Sequence, residues 1–139
     1  MKNDSPLNFR IENIAPILNV NDMAKSLDFY VGILGFEKAE LGDDNFTSVK
    51  WGNTCIYLCK GGQGQAGTLI WIGFDGDIKD LNNRLKSAGA TIKLPPTNFS
   101  WAYEMHIKDS DEHILRFGAD PMKMKHKLID NVSYTDTIV

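Results

Sequence analysis

IAPILNVNDMAKSLDFYVGILGF, Ile14 to Phe36, is the stretch whose reading decides the fold. It opens with a short apolar run, Ile14 to Val20, of strand length. Asn21 and Asp22 follow, and their side-chain oxygens can accept from the free N–H groups at a helix start. Met23, Leu27, Tyr30, Val31 and Leu34 recur at helical spacing and predict one apolar stripe. Gly35 ends the helix, because glycine takes the left-handed terminal conformation without a Cβ penalty. Phe36 begins the next strand. The segment therefore reads as a β-α-β entry.

The same order recurs. Thr68 to Phe74 is a second apolar run, Asp77 a second cap, and Ile78, Leu81 and Leu85 a second stripe that stops at Gly89. Ala90 to Leu94 resumes as a strand. Each entry is followed by two more strands: 46–51 and 54–60 around Gly52-Asn53, then 101–108 and 113–117 around a polar turn, Asp109 to Glu112. The expected fold class is α+β. Two tandem βαβββ modules form a curved mixed sheet around a cleft, with the helices on the convex face. Module 1 spans about 12–60 and module 2 about 68–118. The glycine-rich stretch 61–67 reads as a connector, since no Lys-Ser/Thr and no helix follow it, as a phosphate loop requires. Residues 119–139 read as a partly disordered or subunit-wrapping tail.

These residues resemble the vicinal-oxygen-chelate superfamily, the glyoxalase/bleomycin-resistance/dioxygenase group, and most nearly its bleomycin-resistance branch. The resemblance rests on Ala15-Pro16-Ile17-Leu18 leading into Asp22, on Leu34-Gly35-Phe36, and on WAYEMHIKDSDEHILRF, Trp101 to Phe117. The last stretch is similar to that branch's W-G-x-E-F-x-x-x-D-P-x-G-N-x-x-x-F ending, with Trp101, Glu104, Asp109 and Phe117 in register. Ser110, Glu112 and His113 stand where the pattern has Pro, Gly and Asn.

Enzymes of the superfamily usually hold a divalent metal through four strand residues. The resemblance carries those positions onto Ala15, Tyr57, Leu69 and Arg116; a shift of one on the fifth strand gives Thr68. Alanine and leucine have no donor atom, a neutral phenol is a poor ligand and a guanidinium repels cations. No metal and no other cofactor is expected.

Strand alternation then gives a lining for the cleft. Tyr57 lies on the fourth strand and Trp71 on the fifth. If the turn at 109–112 is a four-residue hairpin loop, Trp101 and Tyr103 share a face with Arg116. The candidate ligand-binding residues are Tyr57, Trp71, Trp101, Tyr103 and Arg116, an aromatic groove around one arginine suited to a planar organic molecule. Arg116 implies an anionic or carbonyl group on that molecule. The competing reading is that strand aromatics are core. Glu104 and His106 share a strand face and form either an acid/base pair or an ordinary solvated or interface face. His113 reads as a turn residue.

Composition narrows the class. A chain of 139 residues with 42% hydrophobic residues suits one domain. The net charge of −3 and the lack of a basic stripe argue against nucleic acid. No apolar run reaches the ~20 residues of a membrane span, and the first ten residues have no apolar core of the kind a secretory signal needs. Cys55 and Cys59 on one strand lie too far apart to bond each other, and free thiols fit the cytoplasm. The resemblance, with the open strand edges of each module, implies a homodimer. The functional expectation is a metal-independent binding protein of the bleomycin-resistance type that sequesters a planar molecule, often a cationic one. The alternatives are a metal-free lyase, isomerase or hydrolase using Glu104, His106, Tyr57 or Arg116, and a structural module whose cleft is filled by its own side chains.

Overall fold

The computed structural model describes residues 7–123. The expected tail therefore lies outside the described residues from 124 onward. The first sheet has the order β1-β4-β3-β2, built from β1 (Ile17–Val20), β2 (Glu37–Gly42), β3 (Phe46–Trp51) and β4 (Thr54–Lys60). The second sheet repeats it as β5-β8-β7-β6, with β5 (Leu69–Gly73), β6 (Thr91–Asn98), β7 (Tyr103–Lys108) and β8 (Ile114–Ala119). In each sheet the first strand runs parallel to the last and the other pairs are antiparallel. The two βαβββ modules are thus as read from the sequence, each making its own four-stranded mixed sheet.

The helix signals act where they stand. The Asp22 carboxylate accepts from the Lys25 N–H at the start of α1 (Met23–Leu27), and Asp77 accepts from Lys79 and Asp80 at the start of α2 (Ile78–Ser87). Gly35 and Gly89 take φ of +87° and +97° just past the two helical segments. The first helix differs in one respect. After Leu27 it widens into a π-helical turn, Asp28–Ile33, closed by the Leu34 N–H to Phe29 carbonyl bond. The buried stripe is accordingly Met23, Ser26, Phe29, Tyr30 and Leu34, while Leu27 and Val31 are only half-covered. β6 runs on through Pro95-Pro96 as an edge strand with broken register, the position where proline does least harm.

One apolar core joins the modules. Leu18, Val20, Ile56 and Leu58 from the first sheet and Met105, Ile107, Leu115 and Phe117 from the second belong to the same cluster, with Tyr30, Ile78 and Leu85 from the helices. The turn after β7 adds polar ties. Tyr30 Oη donates to Asp109 Oδ2 at 2.7 Å, and Asp111 accepts from the Asn21 N–H and the Ser26 hydroxyl. His113 is fully buried and bridges both modules: Nδ1 accepts from the Thr68 N–H at 3.0 Å, so Nε2 carries the hydrogen and donates to the Asn19 carbonyl at 2.7 Å. Glu112, which stands where the family pattern has glycine, sits at φ +66° to complete the turn.

Candidate functional site

The second sheet leaves one face uncovered by helix, and its register decides which residues share that face. Trp71 on β5 pairs with Arg116 on β8, and Arg116 pairs with His106 on β7; two residues along, Gly73, Gly118 and Glu104 form the next row. Side chains alternate along a strand, so Trp71, Arg116, His106 and Glu104 stand on one face.

Glu104 is the hub. It has no exposed surface, yet its carboxylate is surrounded by donors. Trp101 Nε1 donates to Oε2 at 2.6 Å, and the Arg116 guanidinium donates through Nε and Nη2 to Oε1, both at 3.2 Å. His106 Nε2 lies 2.8 Å from Oε1. A carboxylate only accepts, so Nε2 carries the hydrogen and donates to it. Burying a carboxylate is costly unless charge and donors meet it, and here both do.

The network fixes two tryptophans. The Arg116 guanidinium carbon lies 5.4 Å from the Trp71 ring centre, a cation–π contact. The indole can lie across β8 because the next residue on that face is Gly118, where any Cβ would collide with the ring. Trp101 is held by Glu104 and by stacking on Phe99, with ring centres 4.7 Å apart and planes at 11°. Both indoles stay partly open, 52% for Trp71 and 39% for Trp101. They line one groove of about 620 Å³ with Asp75, Asp120 and backbone of the β5 and β8 ends.

The five expected site residues divide. Trp71 and Trp101 come together at this groove, and Arg116 stands beside it. Tyr103 does not: it is 7% exposed and belongs to the core with Met105 and Ile107. The reason is the turn. Lys108 pairs directly with Ile114, so the loop holds five residues and not four, and one extra residue inverts the face of everything on β7. Trp101 escapes the inversion because it precedes β7 and reaches Glu104 from the bend. Tyr103 faces α2, where burial and then the Asp77 carboxylate push its phenol up. Tyr57 is in the other module, tilted against Phe46 at 5.5 Å, in a separate groove of about 750 Å³ between β2, β3 and β4.

Two further expectations change. Arg116 is not a free anchor, since its charge is spent on Glu104. Glu104 and His106 are not a solvated face, because both are buried. A third groove of about 550 Å³ runs between the modules, lined by Leu34, Phe36, Ile56, Ile72 and Phe117 among others; it is mostly apolar and shares Trp71 and Asp75 with the groove above.

The family's metal positions do not fit a cation. Leu69 is 65% exposed with no donor atom, and Arg116 places a guanidinium where a ligand would be needed. Among the described residues no group of three or more His, Cys, Asp or Glu could hold a metal ion. No helix among them is long and apolar enough to cross a membrane.

Paired βαβββ modules, each with a parallel first and last strand and one uncovered face, define the vicinal-oxygen-chelate fold. The chain belongs to the glyoxalase/bleomycin resistance protein/dioxygenase superfamily, whose model matches residues 10–117. Solved structures agree on the fold. An antibiotic-binding protein, TnmS3 from Streptomyces sp. CB03234, is 20% identical with a TM-score of 0.70, covering 81% of this chain and 99% of its own. The bleomycin-binding protein of Streptomyces verticillus, solved with copper(II)-bleomycin, is 23% identical with a TM-score of 0.66, covering 80% and 98%. An integron cassette protein from the mobile metagenome of the Halifax Harbour sewage outfall is 23% identical with a TM-score of 0.68, covering 78% and 99%. No curated protein matches the chain.

Proposed function

We propose that this chain is a metal-independent binding protein that sequesters a planar organic molecule in the groove lined by Trp71 and Trp101. The observation that carries the reading is the pair of half-open indoles on one groove, one held by the buried Glu104 and the other by its half-buried partner Arg116. Rigid aromatic walls lose little entropy on binding, and flat apolar area with few polar groups suits planar ligands. That two neighbours of the same fold bind an antibiotic and bleomycin is in line with a protective, sequestering role. The free thiols of Cys55 and Cys59 fit the cytoplasm.

A thermal-shift screen against planar heteroaromatics and glycopeptide drugs, with and without a chelator, tests the proposal. Binding compounds should raise the melting temperature and quench tryptophan fluorescence equally in both conditions. Trp71→Ala should then weaken binding by about tenfold, from a stacking contribution of ~0.5–1.5 kcal/mol plus lost apolar contact. Stabilisation that requires a divalent metal would sink the reading. The Glu104–His106 contact supports the second reading, a metal-free enzyme, and the same screen separates the two. A sequestered compound is recovered with its mass unchanged after prolonged incubation, whereas a substrate is not.

The protein is further proposed to be a homodimer. Leu7, Phe9 and Ile11 alternate with polar residues and are 74%, 74% and 76% exposed; Ile14 is 87% exposed, and both sheets have open edge strands. Sedimentation equilibrium at micromolar concentration should give about twice the 15.6 kDa chain mass. A monomer throughout that range would refute it.

A further inference from the structure

We infer that the apolar groove between the modules is a second binding site, and that it takes an uncharged hydrocarbon arm carried by the planar ligand. The inference rests on the proposed function for the planar part and adds the arm. Its first support is the wall. Leu34, Phe36, Leu85 and Phe117 belong to the common core, yet each keeps 4–8% of its surface, and all four line this groove. Ile70 and Ile72 pack on the same core and are only half-covered. The core is thus left open along one side, with walls from both modules. A concave groove of about 550 Å³ has the size of a small-molecule site.

The placement of polar groups gives the chemistry. Among the described residues of the lining, the polar side chains besides the indoles of Trp51 and Trp71 are Thr54, Cys55 and Asp75. Thr54 donates its hydroxyl to the Trp51 carbonyl at 2.8 Å. Asp75, the one charged residue among them, also lines the Trp71–Trp101 groove, as do Trp71, Gly73 and Phe74. The two grooves therefore meet along the end of β5, and the charge sits at the junction. Beyond it the walls offer apolar surface. A polar or charged arm would lose its water there with little to replace it, whereas a hydrocarbon arm gains on every methylene it buries. The Trp71 indole lines both grooves, so one molecule stacked on it reaches the second groove directly.

N-methyl-, N-butyl- and N-hexylacridone provide the test, since all three are neutral and share one planar head. Affinities are read by fluorescence titration of the full chain, beside the rate at which a maleimide labels Cys55. That thiol is half-buried and lines the groove, whereas Cys59 is buried and donates to the Gly61 carbonyl. Cys55→Ala confirms which thiol reports. Affinity should rise by about two- to fourfold per methylene along the series. The hexyl compound should slow labelling by about tenfold, and the methyl compound should leave it within about twofold. An N-(5-carboxypentyl) arm, of similar length with an ionised end, should lose most of the gain. Leu81→Trp places a larger ring in this groove, away from the planar site, and should flatten the series while N-methylacridone still binds within about twofold.

Unchanged affinity along the series, with N-methylacridone bound, overturns the inference and leaves the proposed function standing. A rise along the series while Cys55 is labelled at the unliganded rate puts the arm elsewhere and overturns it too. So does Cys55 protection that needs no ligand and grows with protein concentration, which would assign the groove to a second copy of the chain. Failure of all three acridones to bind overturns both readings.

Discussion

Replacing Arg116 with methionine should destabilise the protein by about 3–5 kcal/mol, the usual cost of stranding one member of a buried ion pair. Read from sequence, Arg116 is a ligand-binding residue that implies an anionic or carbonyl group on the ligand. In the structure it is the countercharge of Glu104, a carboxylate with no exposed surface. Methionine fills much of the same space but leaves that carboxylate with only Trp101 and His106. For a domain of this size the melting temperature should fall by about 10–20 °C. The double variant Glu104→Gln, Arg116→Met should recover more than half of the loss, because a neutral amide can still accept from Trp101 and no charge is left buried. Calorimetry of the parent, both singles and the double measures the coupling. A single Arg116→Met variant that melts within 2 °C of the parent would show that the pair contributes nothing. Any loss of ligand affinity in that variant is expected to come through Trp71, which loses its stacked guanidinium, and not through a lost contact with the ligand.

Asp109→Ala should cost a similar amount, about 3–5 kcal/mol, by cutting the tie between the modules. The carboxylate accepts from Tyr30 Oη at 2.7 Å and from the backbone N–H groups of Asp111 and His113 at 2.8 and 2.9 Å. Each buried donor left unmet costs about 1–3 kcal/mol, and the three are too close to add fully. Tyr30→Phe removes only one of them and should cost about 1–2 kcal/mol. The phenol also gives a pH signature. Burial first, and then the Asp109 carboxylate, hold its pKa well above the ordinary value of 10.0. A raised folded pKa means that this contribution is complete below about pH 10. Above that, the unfolded chain releases the proton and the folded chain does not, so stability falls by up to about 1.4 kcal/mol per pH unit. Urea titrations between pH 9 and 11 should show a steeper decline for the parent than for Tyr30→Phe. Parallel declines would mean that Tyr30 is not buried against Asp109.

The sequence by itself determined whatever depends on neighbours along the chain. The bounds of β3 and β4, the caps at Asp22 and Asp77, the glycine stops at Gly35 and Gly89 and the repetition of one module follow from local rules: side-chain period, free N–H groups and positive φ. The choice of face did not follow, because it hangs on a count. One residue more in the turn before Ile114 sends Tyr103 into the core and turns Glu104 to the face that carries Arg116, and no local signal distinguishes a four-residue loop from a five-residue one. Nor did the roles of the polar residues. Arg116 becomes a countercharge because β7 and β8 pair in a register that sets it beside Glu104, and His113 becomes a buried bridge because Asn19 of the first module and Thr68 of the second both reach its ring. Charge compensation is a property of what surrounds a group in space. Only the tertiary structure could show that the arginine read into the aromatic cleft is already paired with a buried carboxylate.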